Sequence, residues 1–194
     1  MKLVLVRHGA TEWSATFKHT GRTDLALSPE GRDHAIMSKE RVHGNIGQAR
    51  RVRIWSSPLV RARETAAIVM GPDAEVTLDD RLREFDYGDY EGLTTAEIRE
   101  TVPGWTVFDG CPGGESLADV EHRVDSFIAE VRADLRHSTT VVFAHGHLLR
   151  ILAARSIGQH GAFAVHLSLD TGAVSVIADL RDGPAITLWN DIRY

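Results

Sequence analysis

The sequence predicts an α/β domain with a mainly parallel sheet, and three observations carry that prediction. Leu3-Val4-Leu5-Val6 and Val141-Val142-Phe143-Ala144 are short, unbroken apolar runs, the first followed by Arg7-His8-Gly9 and the second by His145-Gly146. Runs of this kind suit strands buried on both faces, as in a parallel sheet. Between such runs lie segments with helical spacing and clear start and stop signals, the alternation expected of an α/β fold. Finally, Ala173 to Ala178 and Ala185 to Trp189 flank Arg181-Asp182-Gly183-Pro184, which predicts a C-terminal antiparallel hairpin.

Taken in order, the first strand gives way to a mixed stretch, Ala10 to Lys18, that suits a short helix or an irregular loop, and Thr20 to Asp24 is turn-like. Ser28-Pro29-Glu30 opens a helix, with Ser28 as N-cap and Pro29 at the first helical position, expected to run to about Val42 and stop near Gly44. Val52 to Trp55 reads as the second strand. Leu59 to Met70 reads as a helix stopped by Gly71-Pro72, and Glu75 to Leu78 as a short strand. Arg81 to Gly92 is charged, aromatic and aperiodic, a candidate wall for an active site. Thr94-Thr95-Ala96-Glu97 has capping-box form. Pro103 to Gly114 is loop, after which Ser116 caps a helix whose apolar stripe is Leu117, Val120, Val124, Phe127, Ile128, Val131 and Leu135. That stripe is core. A last helix follows His145 through Leu148, Leu149, Ile151 and Leu152. With no repeat, linker or low-complexity tract, residues 1–194 are expected to form one domain.

Composition narrows the function. A length of 194 residues, 43% apolar and 25% charged, is ordinary for a globular chain with a sizeable core. A net charge of −5 argues against non-specific nucleic-acid binding and against anionic membranes. The single Cys111 excludes an intramolecular disulfide and a multi-cysteine zinc site. The N-terminal apolar run is too short for a signal peptide, and no run approaches the roughly 18 residues of a membrane span. A cytoplasmic protein is expected, with no membrane or nucleic-acid partner; its assembly is open, a homodimer included.

Arg7 and His8 follow the first strand, where ligands sit in open α/β sheets. Alone, that is an ordinary strand end with a solvated arginine. The second His-Gly end, at His145, suggests two strand ends converging on one pocket. Arg61 lies beyond the second strand and Glu84 lies in the aromatic loop. Two arginines with two histidines suit a tetrahedral oxyanion, since guanidinium donors match phosphate. An imidazole against a phosphate can serve as nucleophile, and a nearby carboxyl can give and take the proton. No Walker loop is present. His8, His145 and His147 do not suggest a metal site, for no carboxylate stands at matching spacing.

Arg7-His8-Gly9-Ala10-Thr11-Glu12-Trp13, Thr20-Gly21, Ser57-Pro58-Leu59-Val60-Arg61-Ala62, Glu84, Gly113-Gly114-Glu115-Ser116 and His145-Gly146-His147 resemble the histidine phosphatase superfamily, which includes the phosphoglycerate mutases. The resemblance runs in order over nearly the whole chain. It implies a three-layer, phosphoglycerate-mutase-like sandwich with helices on both faces of the sheet. It also implies a phosphohistidine on His8, Glu84 as proton donor, Arg7, Arg61 and His145 as phosphate ligands, and neither metal nor cofactor. Thr11, Ser14, Thr20, Gly21 and His147 would border the substrate, although Thr11 and Ser14 suit a local cap equally well. His19 suits either a pocket wall or the surface, and Tyr87, Tyr90 and Trp105 suit either the wall or loop packing. His34, His43, His122, His137, His160 and His166 are expected to be non-catalytic.

Within that family the mutases carry a substrate-binding arginine where this chain has Phe85, a lysine where it has Thr95 and an asparagine where it has Ser14. Fewer cations to hold a second anionic end favour phosphatase over a 2,3-bisphosphoglycerate-dependent mutase. Arg83 to Thr94, Gly110-Cys111 and Phe143 to His147 are similar to bacterial acid phosphatases and the sedoheptulose-bisphosphatase group, which points to sugar phosphates. Because Glu84 must be protonated when the ester breaks, hydrolysis of esters with poor leaving groups is expected to peak below neutral pH. A flat or alkaline profile of Glu84-dependent turnover would count against that role.

Overall fold

The computed structural model describes residues 2–134 and 138–192, so Leu135 and His137 fall outside the described residues. Its centre is a six-stranded sheet of β1 (Lys2–Arg7), β2 (Val52–Ser56), β3 (Val76–Leu78), β4 (Thr139–Ala144), β5 (Val174–Leu180) and β6 (Gly183–Asp191). The spatial order is β3-β2-β4-β1-β5-β6. The first four are parallel, and β5 and β6 join antiparallel. Among the described residues the α-helices are α1 (Glu12–Ala15), α2 (Pro29–Ile46), α3 (Val60–Met70), α4 (Thr95–Thr101), α5 (Leu117–Asp134) and α6 (Gly146–Ser156).

The alternation of side chains along β1 explains why helices cover both faces. Val4 and Val6 pack with Ala35 and Val42 of α2 and Ala66 and Val69 of α3. Leu3 and Leu5 face the other way, into a core with Val120, Val124 and Phe127 of α5 and Leu148, Ile151 and Leu152 of α6. A strand apolar at every position is what a sheet buried on two sides requires. In α5 Val120, Val124, Phe127, Ile128 and Val131 are buried and Leu117 partly so, while the other face is largely wet.

Most boundaries follow local chemistry. The Ser28 hydroxyl accepts the Gly31 N–H at 3.0 Å, and Pro29 occupies the first turn. Thr94 and Glu97 form the expected capping box, and Ser116 caps α5 by accepting the Asp119 N–H at 3.3 Å. Two details depart from expectation. The helix α2 passes through Gly44 and ends at Gly47, whose φ of 58° puts it in the left-handed region and whose N–H reaches the His43 carbonyl. A helix interior tolerates one glycine at about 1 kcal/mol, so only the glycine that adopts positive φ marks the stop. The hairpin turn is tighter than Arg181 to Pro184, because Gly183 and Pro184 already pair with Leu180 and Asp179. Pro184 is harmless there, since β6 is an edge strand. The segment from Arg81 to Gly92 holds 3-10 turns at Asp80–Leu82 and Gly88–Tyr90 and no longer element.

One contact places the loop after β1. A Cβ on Gly9 would lie 1.9 Å from the Gly31 carbonyl oxygen, and one on Gly31 would lie 1.9 Å from that of Ala10. The Ala10 carbonyl also accepts the N–H and hydroxyl of Ser28. Backbone meets backbone here, and the loop that carries His8 is pinned to the first turn of α2.

Candidate active site

Parallel pairing puts Arg7 opposite Ala144, so the two strands end level and the next residues, His8 and His145, emerge side by side. Their rings lie 5.1 Å apart, edge to face. His8 is buried, and its Nδ1 is 2.7 Å from the Gly9 carbonyl oxygen. A carbonyl only accepts, so Nδ1 carries the proton and Nε2 keeps its lone pair. Burial, then the charges of Arg61 and Arg7, holds the His8 pKa well below its ordinary 6.5 against a smaller opposing pull from the Gly9 carbonyl. The ring is therefore a neutral base with one nitrogen for chemistry.

Behind it, the fully buried His145 is the N-cap of α6. Arg61 Nε donates to His145 Nδ1 at 3.2 Å, which makes Nε2 the donor to Ser57 Oγ at 2.8 Å. Arg61 gives its other hydrogen bonds to the carbonyls of Thr23, Thr20 and Gly21. Thr20 and Gly21 thus hold the arginine through their main chain. Gly21 has no space for a side chain, because a Cβ would come 2.4 Å from the Phe85 carbonyl oxygen. Burial lowers the pKa of Arg61 and of Arg7 from the usual arginine value, and Glu84 opposes this in both.

In front of His8 lies a cavity of about 260 Å³. Of the residues expected at the site, Arg7, His8, Thr11, Ser14, Thr20, Glu84 and His147 line it; Arg61, His145 and Gly21 stand behind that wall. Arg7 bonds the Leu169 carbonyl through Nη1, while its Nε is buried with no partner. A buried guanidinium N–H without an acceptor is costly and invites an oxyanion. Thr11 and Ser14 form a reciprocal capping box on α1, so the capping role holds and both also face the cavity.

The Glu84 carboxyl is cradled by three backbone N–H groups: Phe85 and Leu148 donate to Oε1 at 2.9 Å and His147 donates to Oε2 at 3.1 Å. Two of these belong to the first turn of α6, whose dipole also favours a carboxyl there. His147 Nδ1 lies 2.7 Å from the Tyr87 hydroxyl. Burial and the Glu84 charge push the Tyr87 pKa well above its ordinary 10.0, so it remains a neutral phenol.

His19 resolves as a wall residue, its Nε2 3.1 Å from the Thr95 hydroxyl, whereas Trp105 packs beneath the loops with its Nε1 donating to the Gly110 carbonyl. Tyr90 stacks edge-on against Trp105 at 5.1 Å, and Arg22 pairs with Asp86 on the surface. None of His34, His43, His122, His160 and His166 lines the cavity. Sequence reasoning missed Arg150, Lys18 and Phe17, which do. Arg150 had a signal, since it stands three residues beyond His147 and shares its helical face. Lys18 and Phe17 had none. Among the described residues no three or more His, Cys, Asp or Glu side chains form a metal-holding group, and no helix is long and apolar enough to cross a membrane.

Comparisons with known proteins identify the family and the fold. The model of the histidine phosphatase superfamily, branch 1, matches residues 3–192, and the chain belongs to that family. A sedoheptulose 1,7-bisphosphatase of Saccharomyces cerevisiae is 36% identical over 79% of this chain, which spans 66% of that protein's length. An acid phosphatase of Mycobacterium tuberculosis is 35% identical over 90% of this chain and 85% of its own. The solved structure of an open reading frame from M. tuberculosis superposes with a TM-score of 0.91 at 30% identity, covering 97% of this chain and 96% of that one. Phosphoglycerate mutases are among the relatives too. The chain is accordingly an enzyme of the phosphatase type, a hydrolase of phosphate esters.

The histidines also set a stability signature. His8, His145 and His147 have pKa values well below 6.5, and His19 is lowered to about 4, in each case chiefly by burial. In the unfolded chain these imidazoles take up protons near 6.5, so below that pH the unfolded state binds more protons than the folded one and stability falls. Melting curves should show Tm dropping between pH 7 and pH 5; a Tm that rises or stays level over that interval would contradict the buried neutral histidines.

Proposed function

We propose that the chain is a metal-independent phosphomonoesterase for small phosphorylated metabolites, sugar phosphates foremost, acting through a phosphohistidine on His8. The observation that carries this reading is the neutral, tautomer-fixed His8 lining one cavity with Glu84 and the guanidinium-bearing Arg7. The lone pair of His8 Nε2 attacks phosphorus in line, and the phosphorus–oxygen bond to the leaving alcohol breaks. Glu84 delivers its proton to that oxygen. Water then attacks the phosphohistidine, Glu84 recovers a proton from it, and phosphate leaves with His8 neutral again. Arg7 meets the equatorial oxygens directly, where charge spreads in the transition state. Arg61 and His145 stand behind the cavity wall; the neutral His145 ring contributes hydrogen bonding and fixes that wall, and Arg61 brings cationic charge to the phosphoryl group.

Hydrolysis is favoured over transfer within a substrate by three residues. Phe85, at the mutase arginine's position, is fully buried in the core. Ser14 is engaged in its capping box, and Thr95 offers His19 only a hydroxyl. The cavity wall nonetheless also carries Lys18 and Arg150. A sugar ester with a second anionic group fits that wall, in keeping with the bisphosphatase name of the yeast relative. Thr11, Ser14, Thr20 and His147 supply the polar remainder.

Phosphate release by His8→Ala should fall by more than about three orders of magnitude, with loss of the acid-labile, alkali-stable phosphoprotein. Normal turnover in that variant would end the proposal. A coupled assay in which 3-phosphoglycerate is converted to 2-phosphoglycerate faster than phosphate appears would install the mutase reading instead.

A further inference from the structure

Glu84 sits in a segment with almost no regular structure, yet its main chain is tied down as firmly as a strand. Arg123 of α5 does this. Its Nη1 donates to the carbonyls of Arg81 and Arg83, both at 2.7 Å, and its Nη2 donates to the Glu84 carbonyl at 3.2 Å. The remaining donors go to Glu115, Nε to Oε1 at 2.8 Å and Nη2 to Oε2 at 3.0 Å. Glu115 Oε2 accepts the Asp86 N–H at 2.9 Å in turn, and the Glu115 N–H reaches the Asp86 carbonyl at 3.0 Å. One guanidinium and one carboxylate, both largely buried, thus bind the backbone on either side of Glu84 and at Glu84 itself.

The contact around this pair leaves no slack. A Cβ on Gly114 would lie 2.2 Å from the Asp86 carbonyl oxygen, and one on Gly88 would lie 2.1 Å from that of Pro112. A planar guanidinium with five donors can serve three carbonyls and a bidentate carboxylate at once, and an ammonium cannot. The Glu84 carboxyl is therefore located from two sides, by the α6 N–H groups at its oxygens and by Arg123 at its main chain.

We propose that Arg123, oriented by Glu115, is the positioning residue that sets the Glu84 carboxyl against the leaving oxygen. This rests on the reading of Glu84 as proton donor. Misplaced proton donation harms esters in proportion to how poor their leaving group is. An alkoxide needs the proton as the bond breaks, whereas p-nitrophenolate leaves without it.

The test compares kcat/KM for glycerol phosphate and for p-nitrophenyl phosphate in the unaltered 194-residue chain and in Arg123→Met, Arg123→Lys and Glu84→Gln. Arg123→Met should lose about 100-fold on the alkyl ester and only a few-fold on the aryl ester, with Arg123→Lys between wild type and Met. The loss of alkyl-ester turnover as pH rises, which reports the Glu84 proton, should weaken in step. If Arg123→Met does not fold, Arg123→Lys alone decides, because the same selective loss is required of it. Equal losses on both esters, with Glu84→Gln still selective, overturn this proposal and leave the proton-donor reading intact. Equal losses in Glu84→Gln itself overturn both.

Discussion

The parallel pairing of β1 with β4 is the constraint on which the site depends. Its register sets Arg7 opposite Ala144, and the His8 N–H continues the ladder to the Ala144 carbonyl at 3.0 Å. A slip by one residue would turn Val4 and Val6 to the wrong helical layer and part the two histidines. Burial on both faces forbids that slip, because each face has its own apolar set. The chemistry is therefore placed by the same hydrophobic pattern that folds the sheet.

Charge within the site is divided by depth. Arg61 is walled in and fully engaged with carbonyls and His145, so it acts on its neighbours as a fixed positive field and lowers the pKa of both histidines. Arg7 stands at the cavity with Nε uncommitted, lying against Gly146, where a Cβ would come within 3.3 Å of its guanidinium. That glycine lets an arginine lie over the first turn of α6, next to the carboxyl that the same turn holds. Nucleophile and cation are thus set by two strand ends and one helix end, and the proton donor by that helix end together with the loop that Arg123 holds.

The sequence was most legible where a local rule had one solution. Apolar runs ending in His-Gly, Ser28-Pro29, Thr94 with Glu97 and Gly71-Pro72 all specify their neighbours within a few residues, and the structure follows them. Gly44 misled because a glycine tolerated inside a helix looks the same as one that ends it, and only the φ of Gly47 separates the two. The engagement of Arg61 with Thr20 and Gly21, and of Arg123 with Arg81, Arg83 and Glu84, was not legible, since each joins a side chain to main-chain carbonyls some forty residues away. Carbonyl groups carry no sequence signature. Cys111 is buried with its thiol pushed up to about 12 by burial and the nearby Asp86, Glu115 and Glu91, which makes it a packing residue of its loop.

The central claim is that the Gly9 carbonyl, by holding the Nδ1 proton of His8, leaves Nε2 to make the bond to phosphorus. It is tested most directly by trapping the phosphoenzyme at alkaline pH and identifying the phosphorylated nitrogen by 15N and 31P NMR of the 15N-histidine-labelled protein. Phosphate on Nε2 of His8 is the predicted result. Phosphate on Nδ1, or on any residue other than His8, would contradict the account.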